Sequence, residues 1–167
     1  SRKPSMSDKP YPVPRATYRL QLNKDFSFSD AASLAPYLAD LGISHAYLSP
    51  ILRARTGSRH GYDTIEHREI NPELGGIDGF RAMARTLRQS GIGILLDFVP
   101  NHMGIGGAEN AYWLDLLEWG RHSRYAHWFD VNWTPSDPTL RNRVLVPLLG
   151  QSYDEALREG HLRLDFD

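Results

Sequence analysis

The stretch DFVPNH at residues 97–102 directly follows the apolar run IGILL at residues 92–96. Such a run is typical of a strand that is buried on both faces of a parallel sheet. The carboxylate of Asp97, the amide of Asn101 and the imidazole of His102 therefore stand where that strand should end. Catalytic residues of parallel α/β barrels lie at the carboxyl ends of strands. Spacing alone leaves two interpretations open, an active-site loop and an ordinary polar turn with His102 packed in the core.

Strand and helix patterns alternate in the chain before this stretch. Residues 16–22 (ATYRLQL) and 45–48 (HAYL) predict strands, and residues 29–41 carry the apolar stripe of a helix. Pro36 removes a backbone donor inside that helix, so we expect a kink there or a restart near Ser33. A second helix precedes the run at residues 92–96, which gives the order strand, helix, strand, helix, strand.

The ends of the two helices have candidate capping residues. Ser29 and Gly42 are expected to bound the first helix, and Asp78 and Gly91 the second. The second helix should bury one apolar face, formed by Phe80, Met83, Ala84 and Leu87.

Parallel strands joined by helices almost always cross over with the right hand. The loops after the second and third strands then lie on the same rim of the sheet. This topology predicts that the polar groups of the two loops lie near one another: His60, Tyr62 and Asp63 from the first, and Asp97, Asn101 and His102 from the second.

The pattern changes after residue 103, where glycine and aromatic residues become dense and no further β/α repeat follows. Residues 110–120 predict a short helix with Trp113, Leu116 and Leu117 facing inward. Residues 143–149 and 161–166 predict short strands, with a helix over 153–158 between them. We therefore divide the chain into a flexible lead (1–14), a β/α segment (15–103) and an α+β segment (104–167).

Composition excludes several function classes. Lysine and arginine number 19 against 20 aspartates and glutamates, a net charge of −1 that argues against nucleic acid as a partner. Arg53, Arg55 and Arg59 cluster, but such a group is expected to be solvated or ion-paired. The chain has no cysteine, and no apolar run is long enough to span a membrane. A cytoplasmic protein without a membrane partner is the simplest interpretation.

Two motifs together resemble the α-amylase family of glycoside hydrolases. DFVPNH at 97–102 is similar to the family signature after the third strand of a (β/α)₈ barrel, and HGYD at 60–63 is similar to the motif after the second. Further stretches resemble one branch of that family, the maltooligosyl trehalose synthases: residues 16–22, 47–51 (YLSPI), 70–76 (INPELGG), 125–133 (YAHWFDVNW) and 143–150 (RVLVPLLG). The resemblance covers most of the chain from about residue 14 onward.

The resemblance implies an α/β fold. Residues 15–103 would be the start of the catalytic barrel, the first three β/α units of a (β/α)₈ TIM barrel, and residues 104–167 an incomplete α+β subdomain inserted after strand 3. It also implies an N-terminal part of an isomerising enzyme. That enzyme would convert the reducing-end α-1,4 linkage of a maltooligosaccharide into an α,α-1,1 linkage, which gives maltooligosyl trehalose. The remainder of the barrel is expected to pack on this piece.

The family's reacting groups are expected beyond Asp167, because its nucleophile and general acid follow the fourth and fifth barrel strands. No catalytic residue is therefore expected in this chain. Tyr62 resembles the tyrosine that stacks under the reacting sugar, and His102 the histidine that hydrogen-bonds the same sugar. Asp97 resembles a residue that braces an arginine near the nucleophile, while His60, Asp63 and Asn101 are expected to hold the loops together.

No cofactor and no metal is implied, and His122 and His127 do not have the spacing of a helical zinc pair. Two alternatives stay open. One is another α-amylase-family hydrolase or transglucosylase that acts on α-glucans, and the other is a non-catalytic α-glucan-binding fragment. The tryptophans at 113, 119, 128 and 133 are expected to form mostly core, although such residues can also line a sugar groove.

Overall fold

The computed structural model describes residues 13–147 and 149–163. It divides into two compact units, of which the first ends at Ala111 and the second begins at Tyr112. The flexible lead predicted for residues 1–14 lies outside the described residues except for its last two positions. The predicted domain boundary at residue 103 stays a prediction.

A three-stranded parallel sheet forms the centre of the first unit. Its strands are β1 (Thr17–Leu20), β2 (His45–Leu48) and β5 (Gly93–Leu96), with β2 in the middle. Thr17 aligns with His45, and His45 in turn aligns with Gly93. The alternating strand and helix patterns therefore predicted the sheet and its parallel direction correctly.

Two short helices connect β1 to β2. They are α1 (Phe28–Ser33) and α2 (Ala35–Asp40), and Pro36 lies in the first turn of α2. The restart expected near Ser33 is confirmed, because proline fits the first turn of a helix, where its missing N–H has no intrahelical partner. Gly42, at φ +78°, follows the end of α2 as expected.

Both predicted N-caps were wrong. The first helix is capped by Ser27 rather than Ser29, since the Ser27 N–H donates to the Asp30 carboxylate at 2.8 Å. The second, α3 (Gly76–Gln89), is capped by Gly75 at φ +109° rather than by Asp78, which lies inside the first turn. A 3-10 turn at Pro72–Leu74 leads directly into α3 and moves its start toward the N-terminus.

The core of the first unit lies between the sheet and these helices. Its buried side chains include Leu38 of α2, Leu48 of β2, and Met83 and Leu87 of α3. Phe28 meets Phe80 edge-on, with 5.6 Å between the ring centroids. The predicted apolar face of α3 is therefore buried at Met83 and Leu87 and half-buried at Phe80 and Ala84.

The prediction that the third strand is buried on both faces was wrong for the described sheet. Residues 93–95 are half-buried, and Leu96 is 49% exposed. β5 pairs with β2 alone in this sheet, so one of its edges has no strand partner among the described residues. The apolar run therefore carries more hydrophobic side chain than this unit buries.

A two-stranded antiparallel ribbon, which the sequence did not reveal, follows β2. It comprises β3 (Leu52–Ala54) and β4 (Thr64–Ile70), with irregular register on both sides of Arg53. The loop between these two strands contains residues 55–63.

The second unit is built from short helices and turns. It contains most of α4 (Ala111–Trp119), the 3-10 turns Gly120–His122, Ala126–Trp128 and Pro138–Leu140, and α5 (Tyr153–Arg158). Trp113 and Leu116 are buried as predicted, but Leu117 is 46% exposed, so its predicted inward direction was wrong. The helix predicted over residues 153–158 is confirmed.

The strand predicted over residues 143–149 was wrong where the structure describes it. Val144 and Val146 do face the apolar cluster of the unit, as the alternating pattern requires, but no neighbouring backbone pairs with them in the described chain. The strand predicted over 161–166 was also wrong at residues 161–163, and its remainder lies outside the described residues. The His161 N–H instead donates to the Ala156 carbonyl, which closes the end of α5.

The second unit packs around aromatic side chains. Trp113 lies 5.2 Å from Phe129, and Tyr112, Tyr125 and Trp128 form a triangle with centroid distances of 4.8 to 5.0 Å. Trp113 is buried and Trp133 half-buried, so the expected core position is confirmed for two of the four tryptophans. Trp119 and Trp128 are more than half exposed, so that expectation was wrong for these two.

Candidate functional site

The end of β5 and the β3–β4 loop meet at one point of the first unit. Asp97 immediately follows β5, and its N–H still donates to the Leu48 carbonyl of β2 at 3.0 Å. The Tyr62 hydroxyl, from the β3–β4 loop, lies 2.5 Å from Asp97 Oδ2. The sequence prediction that these two loops lie together is confirmed.

Arg19 of β1 binds both of these residues, and sequence reasoning did not identify it as part of the site. Its Nη1 donates to Asp97 Oδ2 at 2.8 Å, and its Nη2 donates to the Tyr62 hydroxyl at 3.0 Å. The guanidinium also lies over the Tyr47 ring, 4.4 Å from the centroid. Its planar fork holds two donors in a fixed geometry, whereas the donors of an ammonium group rotate. The available signal was a charged residue inside a strand that otherwise reads as half-buried.

These contacts keep Asp97 in its charged form. The pKa of Asp97 is lowered, chiefly because the Tyr62 hydroxyl donates to the carboxylate and further because Arg19 does so, while desolvation opposes the shift. The pKa of Tyr62 is raised, mainly by its hydrogen bond to Asp97. Asp97 is therefore an ion-paired carboxylate and a weak base, better suited to positioning its neighbours than to carrying a proton.

Ser58 and Gly61 determine the shape of the β3–β4 loop. Ser58 Oγ donates to Asp63 Oδ1 at 2.5 Å and accepts the Gly61 N–H at 3.1 Å. Gly61 has φ +78°, and a Cβ there would lie 2.7 Å from the Pro50 carbonyl oxygen, so no larger residue fits. Asp63 thus holds the loop through Ser58.

His60 supports Tyr62 from within the same loop. Its Nδ1 accepts the Tyr62 N–H at 3.0 Å, and the two rings stack with 5.9 Å between their centroids. Gln21, just beyond β1, donates to the His60 carbonyl at 3.3 Å. Tyr62 is thereby held at its backbone, its ring and its hydroxyl, yet its residue surface is still 36% exposed.

His102 contacts the same tyrosine from the opposite loop. Its Nε2 lies 2.9 Å from the Tyr62 carbonyl oxygen, and its Nδ1 lies 3.0 Å from Asn101 Oδ1. Because a backbone carbonyl can only accept, Nε2 carries a hydrogen, and a neutral ring then accepts at Nδ1 when the Asn101 amide turns its NH₂ toward it. Both ring nitrogens thus have protein partners, and a ligand that binds the ring would have to displace one of them.

The chain after His102 is fastened to the β3–β4 ribbon at Gly104. Its N–H donates to the Thr64 carbonyl at 2.8 Å, and its carbonyl accepts from the Asn110 side chain at 2.9 Å. A Cβ at Gly104 would lie 2.8 Å from the Asp63 carbonyl oxygen. This close approach sets where the loop bearing Asn101 and His102 leaves the site.

The three clustered arginines are ion-paired, as expected from sequence. Arg53 pairs with Glu69 at 2.9 Å and Arg59 with Asp25 at 3.2 Å, whereas Arg55 lies 4.0 Å from Glu109. Within residues 13–147 and 149–163, no group of three histidine, aspartate or glutamate side chains could hold a metal ion. The same residues include no helix that is long and apolar enough to cross a bilayer.

A held, partly exposed aromatic ring flanked by a histidine and a fixed carboxylate is suited to a ring-shaped polar ligand. Residues 32–156 match the alpha amylase catalytic domain. The chain belongs to the α-amylase family. The (β/α)₈ expectation is consistent with this membership, and the α/β class is confirmed by the sheet and helices of the first unit.

Relatives within the α-amylase family place the chain more narrowly. It is 45% identical over 158 residues, 91% of its length, to a putative maltooligosyl trehalose synthase of Mycobacterium tuberculosis. It is 39% identical over 99 residues, 59% of its length, to an intracellular maltogenic amylase of Bacillus subtilis. The second likeness covers less of the chain at lower identity.

A solved structure is also similar to this chain. The maltooligosyltrehalose synthase of Arthrobacter ramosus superposes with a TM-score of 0.80 at 38% identity, over 91% of this chain. The match spans 19% of that protein and 20% of the mycobacterial relative. The chain therefore spans about a fifth of the length of the relatives it matches.

Proposed function

We propose that this chain is the N-terminal part of an enzyme that isomerises the reducing-end α-1,4 linkage of maltooligosaccharides to an α,α-1,1 linkage. The observation that carries the proposal is the likeness to maltooligosyl trehalose synthases over nine-tenths of the chain. The site residues Tyr62, Asp97 and His102 support it, because they lie within that likeness and Tyr62 contacts both of the others. The first three units of the (β/α)₈ barrel, with the remainder packed on them, are part of the same proposal.

Tyr62 would supply a platform for the reacting glucose. An aromatic ring suits the apolar face of a pyranose, and the ring must be held still to orient that sugar. The contacts of Tyr62 with His60, Arg19 and Asp97 restrain it in this way. His60 and Asp63 would act through the loop that carries the tyrosine.

His102 would hydrogen-bond the same sugar. Its Nε2 now lies against the Tyr62 carbonyl and its Nδ1 against Asn101, so sugar binding would exchange one of these bonds for a sugar hydroxyl. Asn101 would then keep the ring oriented. A bond that strengthens as charge develops on the sugar favours the transition state over the bound substrate.

Asp97 would remain the anionic partner of an arginine. Arg19 has this position among the described residues, and the lowered pKa of Asp97 fits a positioning role. The nucleophile and the general acid are expected from parts of the enzyme beyond Asp167. The cytoplasmic location and the absence of a cofactor remain predictions from sequence.

The reaction itself separates this proposal from its alternatives. The full-length protein should convert maltopentaose into a product of unchanged mass that has lost its reducing end, since isomerisation adds no water. Mass spectrometry with proton NMR of the anomeric region measures both properties. Shorter products that retain reducing ends, and whose masses add up to maltopentaose plus one water, would indicate an α-glucan hydrolase instead. Binding without turnover would indicate a glucan-binding protein. The 167-residue chain alone should give no turnover.

A His102→Ala variant of the full-length enzyme tests the role of the histidine. We expect kcat to fall about 10²–10³-fold, by analogy with the loss of one preorganised donor, with little change in melting temperature. His127→Ala is the matched control, because His127 is an exposed histidine of the second unit. An unchanged kcat with a collapsed melting temperature would instead assign His102 a purely structural role.

A further inference from the structure

A cavity of about 650 Å³ opens on the second unit at the end of α4. It is lined by Trp119, Gly120, Arg121, His122 and Asn142. Small-molecule sites usually have volumes of about 300–1,000 Å³ and combine apolar walls with a few placed polar groups. None of these five residues belongs to the site around Tyr62.

Trp119 gives the cavity an exposed aromatic wall. It is the last residue of α4 and is 58% exposed, although tryptophan is among the side chains that proteins bury most fully on average. Trp128 is similarly exposed at 55%, but its ring packs against Tyr112 and Tyr125. Trp119 has no ring partner among the described aromatic contacts, so its indole face is available to a ligand.

Arg121 and Asn142 form a fixed polar edge of the cavity. Arg121 Nη1 donates to Asn142 Oδ1 at 2.8 Å, and the Asn142 N–H donates to the Trp133 carbonyl at 3.1 Å. Asn142 has φ +58°, and it is the one non-glycine residue with positive φ between residues 13 and 163 where the chain is described. The Asn142 NH₂ and the remaining guanidinium hydrogens are thus presented as donors in a set geometry.

The charge of Arg121 limits what can cover the cavity. No carboxylate lies within ion-pair distance of this guanidinium in the described part of the chain. A protein element packed over Trp119 would therefore have to bring a carboxylate to Arg121, because burying that charge without a counter-ion costs considerable free energy. A hydroxyl-rich ligand would leave the charge hydrogen-bonded and partly solvated.

We propose that this cavity, whose lining shares no residue with the site around Tyr62, is a second α-glucan-binding site. The indole of Trp119 stacks on one pyranose face, and Arg121 and Asn142 donate to the hydroxyls at its rim. The inference rests on the proposed function for its substrate class, since a neutral α-glucan is the polymer that the enzyme would meet. Its role is to hold the polymer on the protein, and no bond is made or broken there.

Affinity electrophoresis of the full-length protein in gels with and without amylopectin tests the proposal. The Tyr62→Ala variant serves as the background, so that binding at the other site contributes less to retardation. We expect this background to be retarded, and addition of Trp119→Ala to weaken the apparent affinity about five- to tenfold. Trp128→Ala is the matched control and should leave retardation unchanged.

Asn142→Gly provides a second variant that the backbone tolerates, because glycine adopts positive φ without strain. It should weaken retardation while keeping the melting temperature within a few degrees. Calorimetric titration of the Tyr62→Ala background, with and without Trp119→Ala, uses maltoheptaose and separately inorganic phosphate to distinguish a sugar site from an anion site. Retardation that Trp119→Ala leaves intact, or binding of phosphate without maltoheptaose, would overturn the proposal.

These readouts measure binding alone, so they do not depend on the isomerase reaction. A wild-type enzyme that fails to form the trehalose end but loses amylopectin binding on Trp119→Ala would reject the proposed reaction and keep the second site. A wild-type enzyme that forms the trehalose end, but whose amylopectin binding is unchanged by Trp119→Ala, would support the proposed reaction and reject the second site.

Discussion

The two units of this chain differ in the interactions that stabilise each of them. The first has a hydrogen-bonded parallel sheet whose helices bury one continuous apolar core. The second has a small cluster around Trp113 and Leu116, surrounded by turns and stacked aromatic rings. Hydrogen-bonded ladders fix the register of neighbouring strands, whereas a small cluster of packed rings constrains the connecting backbone less. The first unit is accordingly suited to positioning reacting groups, and the second to presenting a surface.

Trp113→Ala should have the largest effect and should break the second unit alone. Truncating a buried tryptophan costs about 3–5 kcal/mol of unfolding free energy, and the small cluster has few other contacts to compensate. Hydrogen–deuterium exchange should show lost protection after Tyr112 and retained protection in β1, β2 and β5. Equal loss in both units would mean that they unfold as one.

Gly93→Ala should destabilise the first unit, by less than Trp113→Ala destabilises the second. A Cβ at Gly93 would lie 2.4 Å from the His45 ring, which is buried and cannot move away freely. Such overpacking costs about 1–3 kcal/mol, measurable as a shift in chemical unfolding. Gly150→Ala is the matched control, since its Cβ would meet no atom within 4 Å. A stable Gly93→Ala protein would show that the sheet adjusts more easily than its ladder implies.

Tyr62→Phe should have a modest effect on folding, because it removes one hydroxyl and keeps the ring. The hydrogen bond to Asp97 is lost while the Arg19–Asp97 pair remains, at a cost of about 1 kcal/mol at neutral pH. Thermal unfolding measures this change. A larger loss than that of Gly93→Ala would indicate that the hydroxyl holds the whole β3–β4 loop in place.

The loss of unfolding free energy in Tyr62→Phe should depend on pH, and this dependence should be the smallest of the four effects. The folded-state pKa of Asp97 is lowered, so its contribution to stability is present above the unfolded-state value of about 3.9 and is lost as the pH falls through the folded-state value. The gap in unfolding free energy between wild type and Tyr62→Phe should therefore narrow below pH 4. A gap that stays constant from pH 7 to pH 3 would show that the hydroxyl does not act through the charge of Asp97.

The same contrast explains what the sequence could predict. Apolar runs and turn residues predicted β1, β2, β5 and the break at Pro36, because each signal is local and its partners follow in chain order. The β3–β4 ribbon was missed because β4 contains Glu66, Arg68 and Glu69, which obscure an alternating pattern. Its pairing depends on the loop that Gly61 and Ser58 shape.

In the second unit, residues 143–147 show how a correct pattern led to a wrong element. Val144 and Val146 face inward as an alternating strand requires, but a strand also needs a neighbouring backbone, and spacing does not reveal one. In the site, the proximity of Tyr62 to Asp97 followed from topology. The place of Arg19 in the site could not be predicted in this way, because nothing local to residue 19 indicates a partner that lies 78 positions away.

That separation has a consequence for the synthesis of the protein. A ribosome adds about 5–20 residues per second, so Arg19 emerges roughly 4–16 s before Asp97 has been made. During this interval β1 can pair with β2, which follows it closely in the chain, but the guanidinium at its end has no carboxylate from β5. The Arg19–Asp97 ion pair therefore cannot form until the third parallel strand has been made, so this contact of the site comes late in synthesis.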